Sequence, residues 1–285
     1  MNAGSKVAVR APERASVHPT AVVDPSAAID PSAVIGPYAV IGPETVIGPE
    51  TTIGAHAVVE YARLGRANQI FPGAFVGGAP QDLKYKGEKT RLVMGDGNMV
   101  REAATLNRGS HATGETRIGS GCLFMAYSHV AHDCRVGDRV ILANGTALAG
   151  HVEVGEGAVI SGMVGIHQFT RIGSFAMVGG GSMIGQDVPP YCLCQGDRAT
   201  LRGINLTGLR RGGFSREETL AVRRAYRTLF LSGLPLKEAL AELRRGELGP
   251  RIRRFIEFVE ASKRGVMRPA PRPGSPLLDD EQGEE

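Results

Sequence analysis

Large apolar residues recur at every sixth position through the middle of the chain: Ile118, Phe124, Val130, Val136, Leu142, Leu148, Val154, Ile160, Ile166, Ile172, Val178 and Ile184. With 42% of residues hydrophobic, twelve successive hits arise by chance about 3 × 10⁻⁵ of the time, so the period belongs to the fold. Four residues after each stop stands a small or β-branched residue, from Cys122, Ser128 and Cys134 to Ser182 and Val188. One residue after it the chain is mostly Gly, Ala or Ser. Two inward residues per six, one large and one small, fit short strands joined by tight turns, whereas an α-helix cannot hold residues six apart on one face. The pattern predicts a mainly β chain, a parallel β-helix of hexapeptide repeats.

The same step starts at Val17 and runs through Val23, Ile29, Ile35, Ile41, Ile47, Ile53 and Val59. It slips by one residue between Val59 and Leu64, then resumes at Ile70 and Val76. The pattern fails over residues 77–92, where 79–88 read as a polar loop leaving the coil, and again over 107–117. Long loops in a repeat scaffold commonly carry function. Pro189-Pro190 mark the expected end of the coil, since proline donates nothing to a ladder. Beyond them the period turns helical. Ser215 with Glu218 forms a capping box for a helix running to about Ser232 and stopped by Gly233. Leu236, Leu240 and Leu243 mark a second helix, and Pro250 opens a third carrying Ile252, Phe255, Ile256 and Val259. These helices are expected to pack together over the open end of the coil. The division predicted is a flexible arm at 1–15, the coil at 16–190, an α-helical C-terminal domain at 191–267 and a disordered tail at 268–285.

If three six-residue units complete one coil, residues eighteen apart stack one strand spacing apart, about 4.8 Å. His132, His151 and His167 then converge on one edge over three coils, with His129 beside them. A lone His at a turn is often plain surface, but four on one edge point to a site. Histidine acts as a base near neutral pH once a neighbour orients it, and Asp133 adjoins His132. No Ser, Cys or Lys beside the cluster forms a nucleophile motif, so direct transfer with a His base is favoured over a covalent intermediate. Zinc is the rival reading, because three His on adjacent coils could ligate it as in the β-helical carbonic anhydrases. Those enzymes carry a His pair separated by four residues, whereas His129 and His132 are separated by two.

Composition adds limits. Thirty-three basic against 29 acidic residues leave a net charge of +4, too mild to suggest nucleic acid as a partner. Cys122 and Cys134 fall on interior repeat positions, and Cys192-Leu193-Cys194 has the wrong spacing for a zinc knuckle. They read as reduced core thiols of a cytoplasmic protein. No window has the apolar length of a signal peptide or an integral membrane segment.

The run His129-Val130-Ala131-His132-Asp133-Cys134 closely resembles the acyl-carrier-protein-dependent UDP-N-acetylglucosamine O-acyltransferases that begin lipid A synthesis. So do Gln81-Asp82-Leu83-Lys84-Tyr85, Gly150-His151, His167-Gln168 and Gly208-Leu209-Arg210-Arg211. The resemblance implies a homotrimer of left-handed coils, without metal or cofactor, with active sites between subunits. It implies transfer of an R-3-hydroxyacyl chain from acyl carrier protein to the 3-hydroxyl of UDP-N-acetylglucosamine. His132 matches the general base, Asp133 its orienting partner, and the Gly150 N–H the oxyanion donor. Asp82, Lys84, His129, His151, His167 and Gln168 match substrate-binding positions, with Asn205 and Arg211 near the nucleotide. Gly180 matches a position that sets acyl length. Two residues depart from the family: Gly212, where the basic run often continues, and Tyr127, where Asn is frequent.

The N-acyltransferase of the same pathway shares the hexads but is expected to carry a large N-terminal domain, and only residues 1–16 precede the repeats here. A purely structural β-helix needs neither the His cluster nor the polar loop. The cap arginines, among them Arg210, Arg216, Arg223 and Arg253, read either as solvated helix faces or as a dock for an acidic carrier protein.

Overall fold

The computed structural model describes residues 15–270 apart from Glu247. Each hexad folds as a two-residue strand whose second residue points inward, followed by a four-residue turn. In Leu123–Phe124 and Ile141–Leu142 the first residue is half-buried and the second buried. Strands eighteen residues apart pair in parallel: Phe124 beside Leu142, Val130 beside Leu148, Val136 beside Val154. The result is a three-sided coil of sheets with eleven, nine and eight strands. We call these sheets A (with Leu123–Phe124), B (with His129–Val130) and C (with Arg135–Val136).

Inside, large residues such as Ile35, Phe124, Leu142, Leu148 and Ile160 alternate with Ala33, Ala39, Thr45, Thr146 and Ala158, all buried. Each large side chain contributes about 2 kcal/mol by leaving water. The alternation fills a prism too narrow for two bulky residues per hexad, which is why the small position is kept. At the corner between sheets B and C the backbone passes through the left-handed region at Asp133 (φ 61), His151 (φ 60) and Phe169 (φ 65), eighteen residues apart. Such φ values are uncommon outside glycine, so the repeat itself imposes them.

The expected slip is present: Ile53 faces Ile70 and Val59 faces Val76, seventeen along instead of eighteen. Both interruptions leave at the B–C corner. One, residues 79–90, runs between Phe75–Gly78 and Arg91–Met94; the other, 108–114, between Thr105–Asn107 and Glu115–Ile118. The corner carrying the His ridge thus also carries both loops.

The ladder does not stop at Pro189-Pro190. Cys192–Gln195 pairs in parallel with Met177–Val178, and Thr200–Ile204 adds an antiparallel strand. The prolines occupy the turn between Val188 and Cys192, where a missing N–H leaves no ladder bond unmade. Helices α1 (Leu206–Arg211), α2 (Arg216–Leu231), α3 (Leu236–Arg244) and α4 (Pro250–Glu260) follow. The last three match the sequence expectation, including the Ser215–Glu218 capping box; α1 was not anticipated. Tyr191 and Phe255, both fully buried, pack with Phe175 and Phe214 as a ring cluster joining coil to helices.

The expected flexible arm (1–15) and tail (268–285) lie outside the described residues except for Ala15 and residues 268–270. Arg268 and Pro269, assigned to the tail, are held. Leu201 N–H donates to the Arg268 carbonyl, and Pro269 lies beside Leu201. This contact asks nothing of the proline N, so a proline-rich composition did not forbid it.

Candidate active site

Residues eighteen apart form columns at the B–C corner, and the columns build the site. Asp133, His151 and Phe169 make one column, His132, Gly150 and Gln168 the next. The His151 N–H donates to the His132 carbonyl (3.0 Å) and the Phe169 N–H to the Gly150 carbonyl (3.1 Å). His132 therefore has Gly150 directly over it. A Cβ on Gly150 would fall 2.6 Å from His132 Cε1 and 2.7 Å from Nε2, so only a residue without a side chain leaves room for the ring.

His132 Nδ1 lies 2.7 Å from Asp133 Oδ2. The Asp133 side chain is fully buried, and its Oδ1 accepts from the Ser110 N–H (3.0 Å) and the Thr113 hydroxyl. Burial alone would raise the Asp133 carboxyl; hydrogen bonds from Thr113, Ser110 and His132 outweigh it and hold the group down at about 2. An ionised carboxylate facing Nδ1 keeps the proton there and leaves the Nε2 lone pair free on the side toward Gly150. His151 stands edge-on to His132 with ring centroids 5.3 Å apart and stacks on Phe169 at 4.6 Å. Its Nε2 is 3.6 Å from Asp133 Oδ2. Burial pushes the His151 pKa down, Asp133 pulls it up, His132 lowers it, and Asp82 raises it.

The other two His of the ridge, His129 and His167, line the flank of the corner. His129 Nδ1 bonds the Thr105 hydroxyl at 2.7 Å, and burial, then the neighbouring His132, lowers its pKa. His129 and His167 edge a cleft of about 920 Å³ whose floor is the apolar outer face of sheet B, with Ala147, Gly165 and Met183. A second groove of about 670 Å³ lies on the other side of the corner, reaching Asp133 and His151 between Arg135, Arg171, Lys263 and Arg264.

The stability of the site responds to acid. Asp133 has a depressed folded pKa, so its contribution is present above about pH 4 and lost as pH falls through about 2; a shift of this size is worth about 2 kcal/mol. His129 and His151 are kept neutral by burial and oppose folding once pH drops below about 6.5. Denaturant titrations are expected to show a shallow loss below pH 6.5 and a steeper one from pH 4 to 2. Asp133→Asn should remove the steeper step; its persistence would assign that step to other carboxylates.

Covalent catalysis by sulfur finds no support. All four cysteines are free and buried. Cys134, nearest the ridge, has its thiol pushed up to about 12 by burial, so no thiolate is at hand near neutral pH. Among the described residues, His132, Asp133 and His151 are the group whose donor atoms lie within 4.8 Å of one another. They fit zinc poorly. The Asp133 oxygens already accept three hydrogen bonds, and His132 Nδ1 bonds that same carboxylate instead of turning toward a shared centre.

The comparisons bear on this geometry. The family model described as Udp N-acetylglucosamine O-acyltransferase, Domain 2, matches residues 187–267, and the bacterial transferase hexapeptide model matches 26–60 and 115–150. The acyl-[acyl-carrier-protein]–UDP-N-acetylglucosamine O-acyltransferase of Synechocystis sp. is 50% identical over 260 residues, 91% of this chain and 94% of its own. The chain belongs to this O-acyltransferase family. Solved members superpose closely. The enzyme of Moraxella catarrhalis has a TM-score of 0.86 at 44% identity, covering 88% of this chain and 99% of its own. That of Francisella novicida has a TM-score of 0.86 at 36% identity, covering 94% and 100%. As a member of the family this chain is an acyltransferase, and its coil is a left-handed parallel β-helix.

Of the family positions carried over from the sequence, His132, Asp133, Gly150 and His151 meet at one point. Gln168 stacks above Gly150, and its carbonyl lies 3.1 Å from His167 Nδ1. Asp82 and Lys84 sit on the 79–90 loop, where Asp82 Oδ1 accepts the Lys84 N–H at 2.9 Å. Gly180 turns the A–B corner against the Gly162 carbonyl, away from the His ridge. Asn205 is buried as the N-cap of α1, accepting from the Gly208 N–H and donating to the Phe175 carbonyl at 2.9 Å each. Arg211 ends the same helix, exposed. The departure at Gly212 has a packing reason: a Cβ there would meet the Phe175 ring at 2.7 Å. Nothing in the structure explains Tyr127, an exposed turn residue. Sequence reasoning missed Phe169, which the eighteen-residue spacing from His151 could have revealed. It also missed Ser110 and Thr113, which lie in an aperiodic loop and give no signal.

Proposed function

We propose that this protein carries out the first step of lipid A biosynthesis, moving an R-3-hydroxyacyl chain from acyl carrier protein to the 3-hydroxyl of UDP-N-acetylglucosamine. The observation carrying the mechanism is the stack of His132 between Asp133 and Gly150. Nε2 of His132 takes the proton of the sugar hydroxyl while its oxygen attacks the thioester carbonyl. The Gly150 N–H, which donates no hydrogen bond among the described residues, receives the developing oxyanion, a contribution worth about 3 kcal/mol. Asp133 stabilises the imidazolium, which then protonates the departing thiolate. Asp82, Lys84, His129, His151, His167 and Gln168 bind substrate around this point.

The working unit is a homotrimer. The outer faces of sheets A and B are mostly apolar, with Val34, Met99, Ile141 and Met177 beside Thr52 and Gln69 on one and Val40, Phe75, Ala147 and Met183 beside Thr105 and His129 on the other. Sheet C instead presents Arg63, Arg117, Arg135 and Arg171. Two apolar flanks on a three-sided prism suit an assembly in which every coil lays one flank on each neighbour. In it, Gly180, Asn205 and Arg211 complete sites across the subunit boundary. Among the described residues, no helix is long and apolar enough to cross a membrane; the cytoplasm is the compartment this reading assigns to the reaction, because its donor is a carrier protein.

The test is the product. Incubation with a ladder of 3-hydroxyacyl carrier proteins and either UDP-N-acetylglucosamine or its 3-amino analogue should yield, by mass spectrometry, the 3-O-acyl sugar nucleotide. Acylation of the 3-amino analogue alone would reject the hydroxyl as acceptor.

A further inference from the structure

The loop at 108–114 belongs to neither the repeat nor the substrate positions, yet its side chains reach both halves of the site. Arg108 is buried. Its guanidinium donates to Glu60 Oε1 (3.0 Å), the Gly77 carbonyl (2.8 Å) and the Tyr85 hydroxyl (3.2 Å), and lies 4.3 Å from the Tyr61 ring centroid. Gly77 is where the 79–90 loop departs, and Tyr85 is in its middle, its own hydroxyl donating to the Glu88 carbonyl at 2.9 Å. His111 adds a 3.8 Å approach to Glu88. Two residues after Arg108, the Ser110 N–H begins the hold on Asp133 that the Thr113 hydroxyl completes.

We propose that residues 108–114 form a positioning strap: Arg108, through Tyr85, fixes the loop that carries Asp82 and Lys84, while Thr113 fixes the carboxylate that orients His132. The proposal rests on the reading of His132 as base and of Asp82 and Lys84 as substrate contacts. A buried guanidinium is kept only where its donors are satisfied, and here two of its three partners, Gly77 and Tyr85, define the root and middle of the substrate loop. Asp133 likewise has one oxygen for the strap and one for the imidazole. The strap thereby sets the distance between the acceptor's binding loop and the base. Arg108 and Thr113 act through other residues and touch no reacting atom.

The experiment uses the full-length enzyme with Tyr85→Phe, Thr113→Val and Thr113→Ser, scored by separate kinetic constants for each substrate across pH. Tyr85→Phe removes the bond accepted from the Arg108 guanidinium and the one donated to the Glu88 carbonyl, and should raise KM for UDP-N-acetylglucosamine about 10-fold, the low end for a hydrogen bond to a charged group, with kcat and the KM for acyl carrier protein unchanged. Thr113→Val should lower kcat about 10-fold, as for a hydrogen bond to a charged group. It should also move the acid limb of the kcat/KM profile to higher pH, because a carboxylate with one donor fewer favours the imidazolium more. Thr113→Ser should restore both. An equal fall in kcat/KM for both substrates in all three variants, parallel to lost thermal stability and with the pH profile unmoved, assigns the strap a structural role and overturns the proposal. Parent kinetics and pH profile in Thr113→Val, alongside an inactive His132→Ala, remove the strap while sparing the base; an active His132→Ala removes the base itself.

Discussion

His132→Ala is expected to fold, to keep the parent's assembly state in sedimentation equilibrium, and to lose turnover by about 10²- to 10⁴-fold, the range for removing a positioned general base. The expectation follows from how little else at the ridge can take the proton. His151 has its Nε2 turned to Asp133, and His129 is tied through Nδ1 to Thr105 on the flank. His132 alone has a ring with one nitrogen on a buried carboxylate and the other on the side toward Gly150. The fold should tolerate the change. The ring sits at the corner, outside the row of inward residues, and Asp133 keeps its bonds to Ser110 and Thr113. Residual activity reports what binding and the oxyanion donor contribute without a base. Turnover within ten-fold of the parent would transfer the role to another group.

Gly150→Ala should lose about 10²-fold in kcat while leaving both KM values near the parent. The added methyl would stand 2.6 to 2.7 Å from the His132 ring, whereas ordinary contact begins near 3.5 Å. The backbone of the corner is pinned by ladder bonds above and below, so the ring is what moves, by about 1 Å. A displacement of that size at a catalytic group costs on the order of 100-fold, and it also pulls Nδ1 off Asp133. Overpacking should lower stability by about 1 to 3 kcal/mol, readable as a reduced Tm. A crystal structure of the variant with an unmoved imidazole and full kcat would show that the ring has slack, contrary to the stacking described above.

Much of this was legible in the sequence because a repeat converts spacing into geometry. Counting by six located the interior, and counting by eighteen placed His132 and His151 on one edge before any coordinates. The one-residue slip after Val59 was readable for the same reason. Handedness was not, since a period says nothing about the sense of winding and came from family resemblance. Pro189-Pro190 misled because proline breaks a strand only where its N–H is needed, and here a turn falls. Helix α1 is six residues long, too short to show a period, and its Asn205 cap is the sole local sign. Arg108, Ser110 and Thr113 lie where the repeat is suspended, so their partners are set by the path of the loop and no spacing rule reaches them.

The columnar corner also restricts how such a protein can vary. Eighteen residues spliced in as one storey lengthen the prism by about 4.8 Å and leave every edge facing as before. One residue added within a strand turns its lining outward and unravels the storeys above. Length changes are thus confined to whole storeys, to corner turns such as the one after Val59 that is a residue short, or to the places where the chain already departs from the wall. Both departures, 79–90 and 108–114, open on the corner that carries the His ridge, so the segments freest to diversify are the ones that border the candidate site.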